Sequence, residues 1–152
     1  MEEMILEFTN VTGSKGKFRL QDLNFGLPAG YMMALMGANG AGKSTLMSYI
    51  MREDAKYTGS IKICGQDIRE NHAYLRNYIG FVSEDNGFFE SLSPMDNVNL
   101  MARFYETFDK ELFQETMKEM GVSLSTMYYK LSRGEKLKFQ RAFAMAHHPK
   151  LY

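Results

Sequence analysis

The sequence predicts an α/β fold with an added helical portion, and three observations carry that reading. An apolar run from Tyr31 to Met36 leads directly into a glycine-rich segment, Gly37-Ala38-Asn39-Gly40-Ala41-Gly42-Lys43-Ser44, which residues suited to a helix follow. Strand-like and helix-like stretches alternate up to Val82. Beyond Ser93 only helical patterns occur.

Taken in order, Met4 to Phe8 is short and apolar, and Arg19 to Leu27 alternates imperfectly through Leu20, Asp22, Leu23, Phe25 and Leu27, so both read as strands. Gly13, Gly16 and the Pro28-Ala29-Gly30 turn punctuate them. Tyr31 to Met36 is continuously apolar, as expected of a strand buried on both faces of a parallel sheet. Lys43 to Met51 suits a helix, and Gly59 to Ile63 resumes β-type alternation before a Gly65-Gln66-Asp67 turn. A helix around His72 to Asn77 precedes another short buried strand, Ile79-Gly80-Phe81-Val82. Residues 1–82 are thus expected to form the α/β core, and the polar, Gly-containing stretch 83–92 a linker.

Ser93 can cap a helix whose first residue is Pro94, where a missing N–H costs nothing. Asp109 caps a second, in which Leu112, Phe113, Thr116, Met117 and Met120 make one apolar stripe and Gly121 is the stop. Residues 93–130 are expected to form a helical subdomain. In 131–152 a last helix starts near Ser132 and runs through Leu137, Phe139, Ala142, Phe143, Ala144, Met145 and Ala146 until Pro149. Being apolar nearly all round, it needs burial between other layers.

Composition narrows the function classes. Lys plus Arg and Asp plus Glu are equal at 18 each, so no overall field favours nucleic acid or an anionic surface. The single cysteine, Cys64, excludes an internal disulfide and suits a reducing, cytosolic compartment. At a strand end beside Gly65, it reads as an unreactive buried thiol. The acidic N-terminus does not read as a signal peptide, and no apolar run approaches the roughly 20 residues that cross a bilayer. The 13 methionines suit irregular core filling. His147 and His148 are adjacent on a helix and face different ways, which fits a helix C-terminus better than a metal pair.

The glycine-rich segment fits G-x-x-x-x-G-K-[ST] and lies between an apolar run and a helix, the context that motif requires. Its glycines let backbone N–H groups converge on phosphates, and the helix dipole adds positive potential at the same place. Lys43 would neutralise the β- and γ-phosphates of ATP, Ser44 would offer its hydroxyl to Mg²⁺, and Thr45 completes the nucleotide-binding set.

A second motif, Leu131-Ser132-Arg133-Gly134-Glu135, contains an S-x-x-E capping box, which could start any helix. Heading a buried helix downstream of the phosphate loop, it also resembles the LSGGQ signature of ATP-binding cassette (ABC) proteins. The resemblance runs along the whole chain, through Tyr78-Ile79-Gly80-Phe81-Val82-Ser83-Glu84 and Arg141-Ala142 to His148-Pro149-Lys150-Leu151. The chain looks like an ABC transporter ATPase domain, more narrowly of the bacterial export type. The resemblance implies a P-loop nucleoside triphosphate hydrolase fold, ATP and Mg²⁺ as cofactors, and a second ATPase domain and a membrane permease as partners. It implies a place at the inner face of the cell membrane, and with no basic stripe in the sequence no nucleic-acid partner is expected. It also implies that Ser132, Arg133, Gly134 and Glu135 act on ATP held by the partner.

Three departures from the family pattern stand out. Arg133 and Glu135 bring charges of both signs into the signature. Glu84 stands where the family has a glutamine that reaches magnesium; it could ligate the metal or be a solvated loop residue. No tyrosine lies in Thr12 to Lys17, where the family places an aromatic on adenine, so Phe18 is either the substitute or a core-facing strand residue. Pro149-Lys150-Leu151-Tyr152 resembles the lead-in to the Walker B strand, whose Asp and Glu do not follow, so this chain is expected to hold no catalytic residue, to lack the C-terminal part of the core, and to bind nucleotide while hydrolysing it poorly. Two alternatives remain open: a naturally short, nucleotide-dependent dimerisation or regulatory module, and an ABC ATPase that works without a transporter.

Overall fold

The computed structural model describes residues 3–16, 18–52, 55–84 and 87–152. They form two compact units, Met1–Arg76 and Asn77–Tyr152.

The first unit is built on an antiparallel hairpin of β1 (Met4–Lys15) and β2 (Phe18–Pro28), with β3 (Tyr57–Ile63) and the short β4 (Gln66–Asp67) added in the order β2-β1-β3-β4. Ile5, Leu6, Phe8 and Val11 of β1 and Ile61 and Ile63 of β3 are buried, and Phe8 stacks on Phe25 across the hairpin at 4.5 Å. The hairpin is irregular where Asn10 and Asp22 take left-handed backbone, a conformation their short polar side chains tolerate. Asn24 Oδ1 accepts from the Asn10 N–H at 2.8 Å, and Thr12 Oγ1 from the Asp22 N–H at 2.9 Å. Helix α1 (Lys43–Met51) buries Leu46, Tyr49 and Ile50, and Tyr49 lies against Tyr57 of β3 and the backbone of Gly13 in β1. The unit closes with α2 (His72–Leu75), continued by a 3₁₀ turn, Arg76–Tyr78.

The second unit is helical. Helix α3 (Pro94–Met101) is capped by Ser93, whose Oγ accepts from the Asp96 N–H. Helix α4 (Lys110–Glu119) is capped by Asp109 and stopped by Gly121 at φ 68°. Helix α5 (Arg133–Ala146) is capped by Ser132. Amphipathic faces pack α4 on α5 around Val98, Phe113, Met117, Tyr128, Phe139, Ala142, Phe143 and Ala146. Phe88 enters this cluster edge-on to Phe139 at 4.7 Å and to Phe143 at 5.1 Å.

Five sequence expectations change. Tyr31–Met36 is no strand: it joins no sheet among the described residues, and Met32 and Met36 are 97% and 90% exposed. A strand needs a neighbour to take its backbone hydrogen bonds, and the sheet of these residues is built elsewhere, from antiparallel strands. Among the described residues Ile79–Val82 likewise makes only one parallel bridge, Ile79 to Leu151, with Phe81 and Val82 exposed. Gly13 lies inside β1 rather than ending a strand, because the Tyr49 ring occupies the space a Cβ would need. The β3–β4 turn falls on Cys64 and Gly65, both at positive φ as a type I′ turn requires, and Cys64 is half-buried there. Finally, α5 ends at Ala146, short of Pro149, with His147 as its C-cap.

Candidate nucleotide-binding site

The phosphate loop is shaped by its glycines. Gly40 and Gly42 sit at φ 85° and 94°, backbone that L side chains rarely adopt, and the Ala41 N–H donates to the Ala38 carbonyl at 3.1 Å to turn the chain. Gly42 is also the N-cap of α1, which has no side-chain cap and no acidic residue in its first turn. The helix therefore presents its first N–H groups and the positive end of its dipole at the loop. Lys43 Nζ donates to the carbonyls of Gly37 at 2.7 Å and Ala38 at 2.9 Å, so its ammonium arches over the loop it belongs to. Ser44 is exposed and Thr45 half-buried. The ring of Phe18 packs directly on Gly42, where any side chain would collide with it, and is half-buried beside the loop rather than sunk in the core.

These groups fit a polyphosphate and its metal. The exposed backbone from Gly37 to Ala41, a helix N-terminus and the Lys43 ammonium are anion ligands, and the Ser44 hydroxyl is one hard oxygen donor. No group of three or more His, Cys, Asp or Glu side chains that could hold a metal ion occurs among the described residues. A magnesium ion held mainly by phosphate oxygens and water suits that donor set, since magnesium is seldom bound by an all-protein cage.

The second motif opens α5. Ser132 Oγ accepts from the Glu135 N–H at 3.3 Å, while Glu135 Oε2 accepts from the Ser132 N–H at 2.8 Å and from its hydroxyl at 2.7 Å. The capping box forms in full. Hydrogen bonds from the Ser132 side chain, then from its backbone, hold the Glu135 carboxyl below the usual range. Gly134 faces open space. Arg133 points away from the box and forms an ion pair with Glu84, so two departures from the family pattern meet each other. Sequence reasoning found both residues and missed their pairing; their opposite charges at two motif positions were the available signal. It also missed two neighbouring ties from α5, Lys136 to Glu90 at 2.9 Å and Gln140 Oε1 to the Ser83 N–H at 2.9 Å.

At the other end of α5, His147 is buried, stacked on Tyr105 at 4.2 Å, with Nδ1 at 3.3 Å from the Asn77 carbonyl. Burial pushes its imidazole below the ordinary value. The structure thus puts His147 in a helix-end role.

A model of the family described as ABC transporter matches residues 20–152. The chain belongs to the ABC transporter family. Among the relatives of this ABC chain, the bacitracin transport ATP-binding protein BcrA of Enterococcus faecalis is 26% identical over 152 residues, covering 98% of this chain and 49% of BcrA. The lipoprotein-releasing system ATP-binding protein LolD of Rickettsia bellii is 28% identical over 138 residues, covering 87% of this chain and 62% of LolD. The chain spans about half the length of BcrA. A solved ATP-binding subunit of an ABC transporter superposes with a TM-score of 0.82 at 25% identity, over 95% of this chain and 63% of that one. CbiO1 of Clostridium perfringens, part of the ABC transporter complex cbiONQ, gives 0.76 at 25% identity, over 98% and 64%. The fold is the P-loop nucleoside triphosphate hydrolase fold of ABC type, of which this chain carries a part.

Proposed function

We propose that this chain is the ATP-binding part of an ABC transporter subunit, and that Gly37 to Thr45 hold the phosphates of ATP. The observation that carries this reading is the uncapped N-terminus of α1 behind a left-handed glycine, with Lys43 arched over the loop. When bound, magnesium neutralises phosphate charge and orients the phosphoryl group. The chain's own part is to bind and position: loop N–H groups and Lys43 take the phosphates, the Ser44 hydroxyl faces the metal, and Phe18 flanks the loop on the side proposed for the base.

Ser132, Arg133, Gly134 and Glu135 are proposed to face ATP held by a second ATPase domain, with residues 83–92 linking the phosphate-binding core to the helices of 93–130. Membership of the family and the names of its relatives support a membrane permease as the further partner and a place at the cytoplasmic face. No helix of the described residues is long and apolar enough to cross a membrane. The 152 residues contain no Asp-Glu dipeptide to follow an apolar strand, so turnover by these residues alone is proposed to be slow.

Calorimetry with ATP and magnesium tests the reading. Wild-type chain should give saturable heat, and Lys43→Ala should weaken binding at least about tenfold, the loss of one charge-assisted contact. Equal heat from both proteins sinks it.

A further inference from the structure

Three side chains along one stripe of α5, Arg133, Lys136 and Gln140, grip the segment that follows Val82. Their spacing of three and four residues puts them on one helix face. The grip is graded. Gln140, 3% exposed, accepts from the Ser83 backbone; Lys136, its side chain 23% exposed, holds Glu90 and lies 4.9 Å from the centre of the Tyr128 ring. Arg133 and Glu84 stand in the open, their side chains 75% and 70% exposed. The same segment is pinned again by Phe88 in the aromatic cluster and by Asn97, whose amide bonds both the N–H and the carbonyl of Phe89. Breaking the outer pair therefore leaves the segment anchored.

We infer that Arg133 is an additional phosphate-recognising residue for the nucleotide of a facing chain, and that Glu84 is the carboxylate on which it is stored until a polyphosphate replaces it. This rests on the reading that the start of α5 faces ATP held by a second domain. A guanidinium takes a carboxylate or a phosphate with the same planar fork, so the exchange needs no new geometry, only a stronger anion. An exposed ion pair in water is worth little, and a triphosphate carries several charges against the one on Glu84. Glu135 cannot serve as the store, because its carboxylate is committed to the Ser132 N–H and hydroxyl. Partner exchange at Arg133 also leaves the helix cap intact.

The test is a double-substitution cycle read by sedimentation velocity of the chain with ATP and magnesium. Glu84→Gln releases the guanidinium and should tighten ATP-driven self-association by about twofold to fivefold, the range an exposed pair allows. Arg133→Gln should weaken it, and adding Glu84→Gln to Arg133→Gln should then change nothing further. The thermal midpoint of Glu84→Gln should stay within about 1 °C of wild type, which separates a stored charge from a structural tie. Glu84→Gln that weakens association, or that acts equally with and without Arg133, overturns the inference. So does a chain that gives calorimetric heat with ATP and does not self-associate. Absence of ATP heat in the wild-type chain instead overturns the functional reading on which it rests.

Discussion

In the Asn77–Tyr152 unit Phe113, Tyr128 and Phe139 are wholly buried, whereas in the Met1–Arg76 unit the most continuous apolar run of the chain, Tyr31–Met36, stands in the open. The contrast follows from how each kind of element satisfies its backbone. A helix closes its hydrogen bonds internally and needs a partner only for one face, so α4 and α5 bury their stripes against each other. A strand closes nothing by itself. Hydrophobicity alone did not make one of Tyr31–Met36: among the described residues no strand pairs with it, and the Tyr31 N–H closes the preceding turn on the Pro28 carbonyl at 3.4 Å.

Five measurements sharpen or break this contrast, the strongest first. Phe139→Ala should cost about 3–5 kcal/mol in denaturant unfolding, because it empties the centre of the aromatic cluster. A loss under about 1 kcal/mol would mean that the cluster is not the core of the unit. Ser132→Ala removes the cap of α5 and should cost about 1 kcal/mol, read by the same method.

Asp67→Asn probes the sheet of the first unit. Two hydrogen bonds from the Arg69 guanidinium, at 3.0 and 2.8 Å, hold the Asp67 carboxyl down at about 2. Because this folded-state value lies below the unfolded one of about 3.9, the stabilisation is present above that value and is lost as pH falls through about 2. With allowance for solvent screening it amounts to about 1 kcal/mol at neutral pH, and an acid titration of Asp67→Asn should show a shallower decline than wild type.

His147 supplies the opposite kind of test. Burial favours its neutral form in the folded chain, so the unfolded chain binds the proton more readily. Stability is full above the ordinary value of about 6.5 and falls as pH drops through it. The thermal midpoint should be lower at about pH 5.5 than at about pH 7.5, and His147→Phe, which keeps the stack on Tyr105, should lessen that difference. An unchanged difference would place the pH response elsewhere. Met32→Ser should change stability by less than about 0.5 kcal/mol, the value for an exposed position. A larger loss would show that Tyr31–Met36 packs against something after all.

The capped helix starts and the Gly121 stop were legible to the residue, whereas the end of α5 was not. Ser93, Asp109, Gly121 and Ser132 stand where the sequence puts them, because a cap is a local bargain between one side chain and the next turn. The phosphate loop was legible for the same reason: the glycines, Lys43 and the start of α1 are contiguous. What escaped were relations across the chain. Gly13 reads as a turn until Tyr49, far along the sequence, is seen to lie on it. Glu84 and Arg133 read as two separate oddities until the fold sets them side by side.

The burial of α5 fixes the tempo of anything that happens at its first turn. Phe139, Ala142, Phe143 and Ala146 are buried in the core, and the Asp109 N–H donates to the Ala146 carbonyl at 2.8 Å, so tilting or sliding the helix would break packing that a side-chain rotation leaves intact. A change of partner at Arg133 must then be a rotamer hop of an exposed side chain, an event of picoseconds to nanoseconds. Protein encounters are far slower, so the guanidinium samples its choices many times within each collision and meets an incoming surface as an equilibrated mixture of poses.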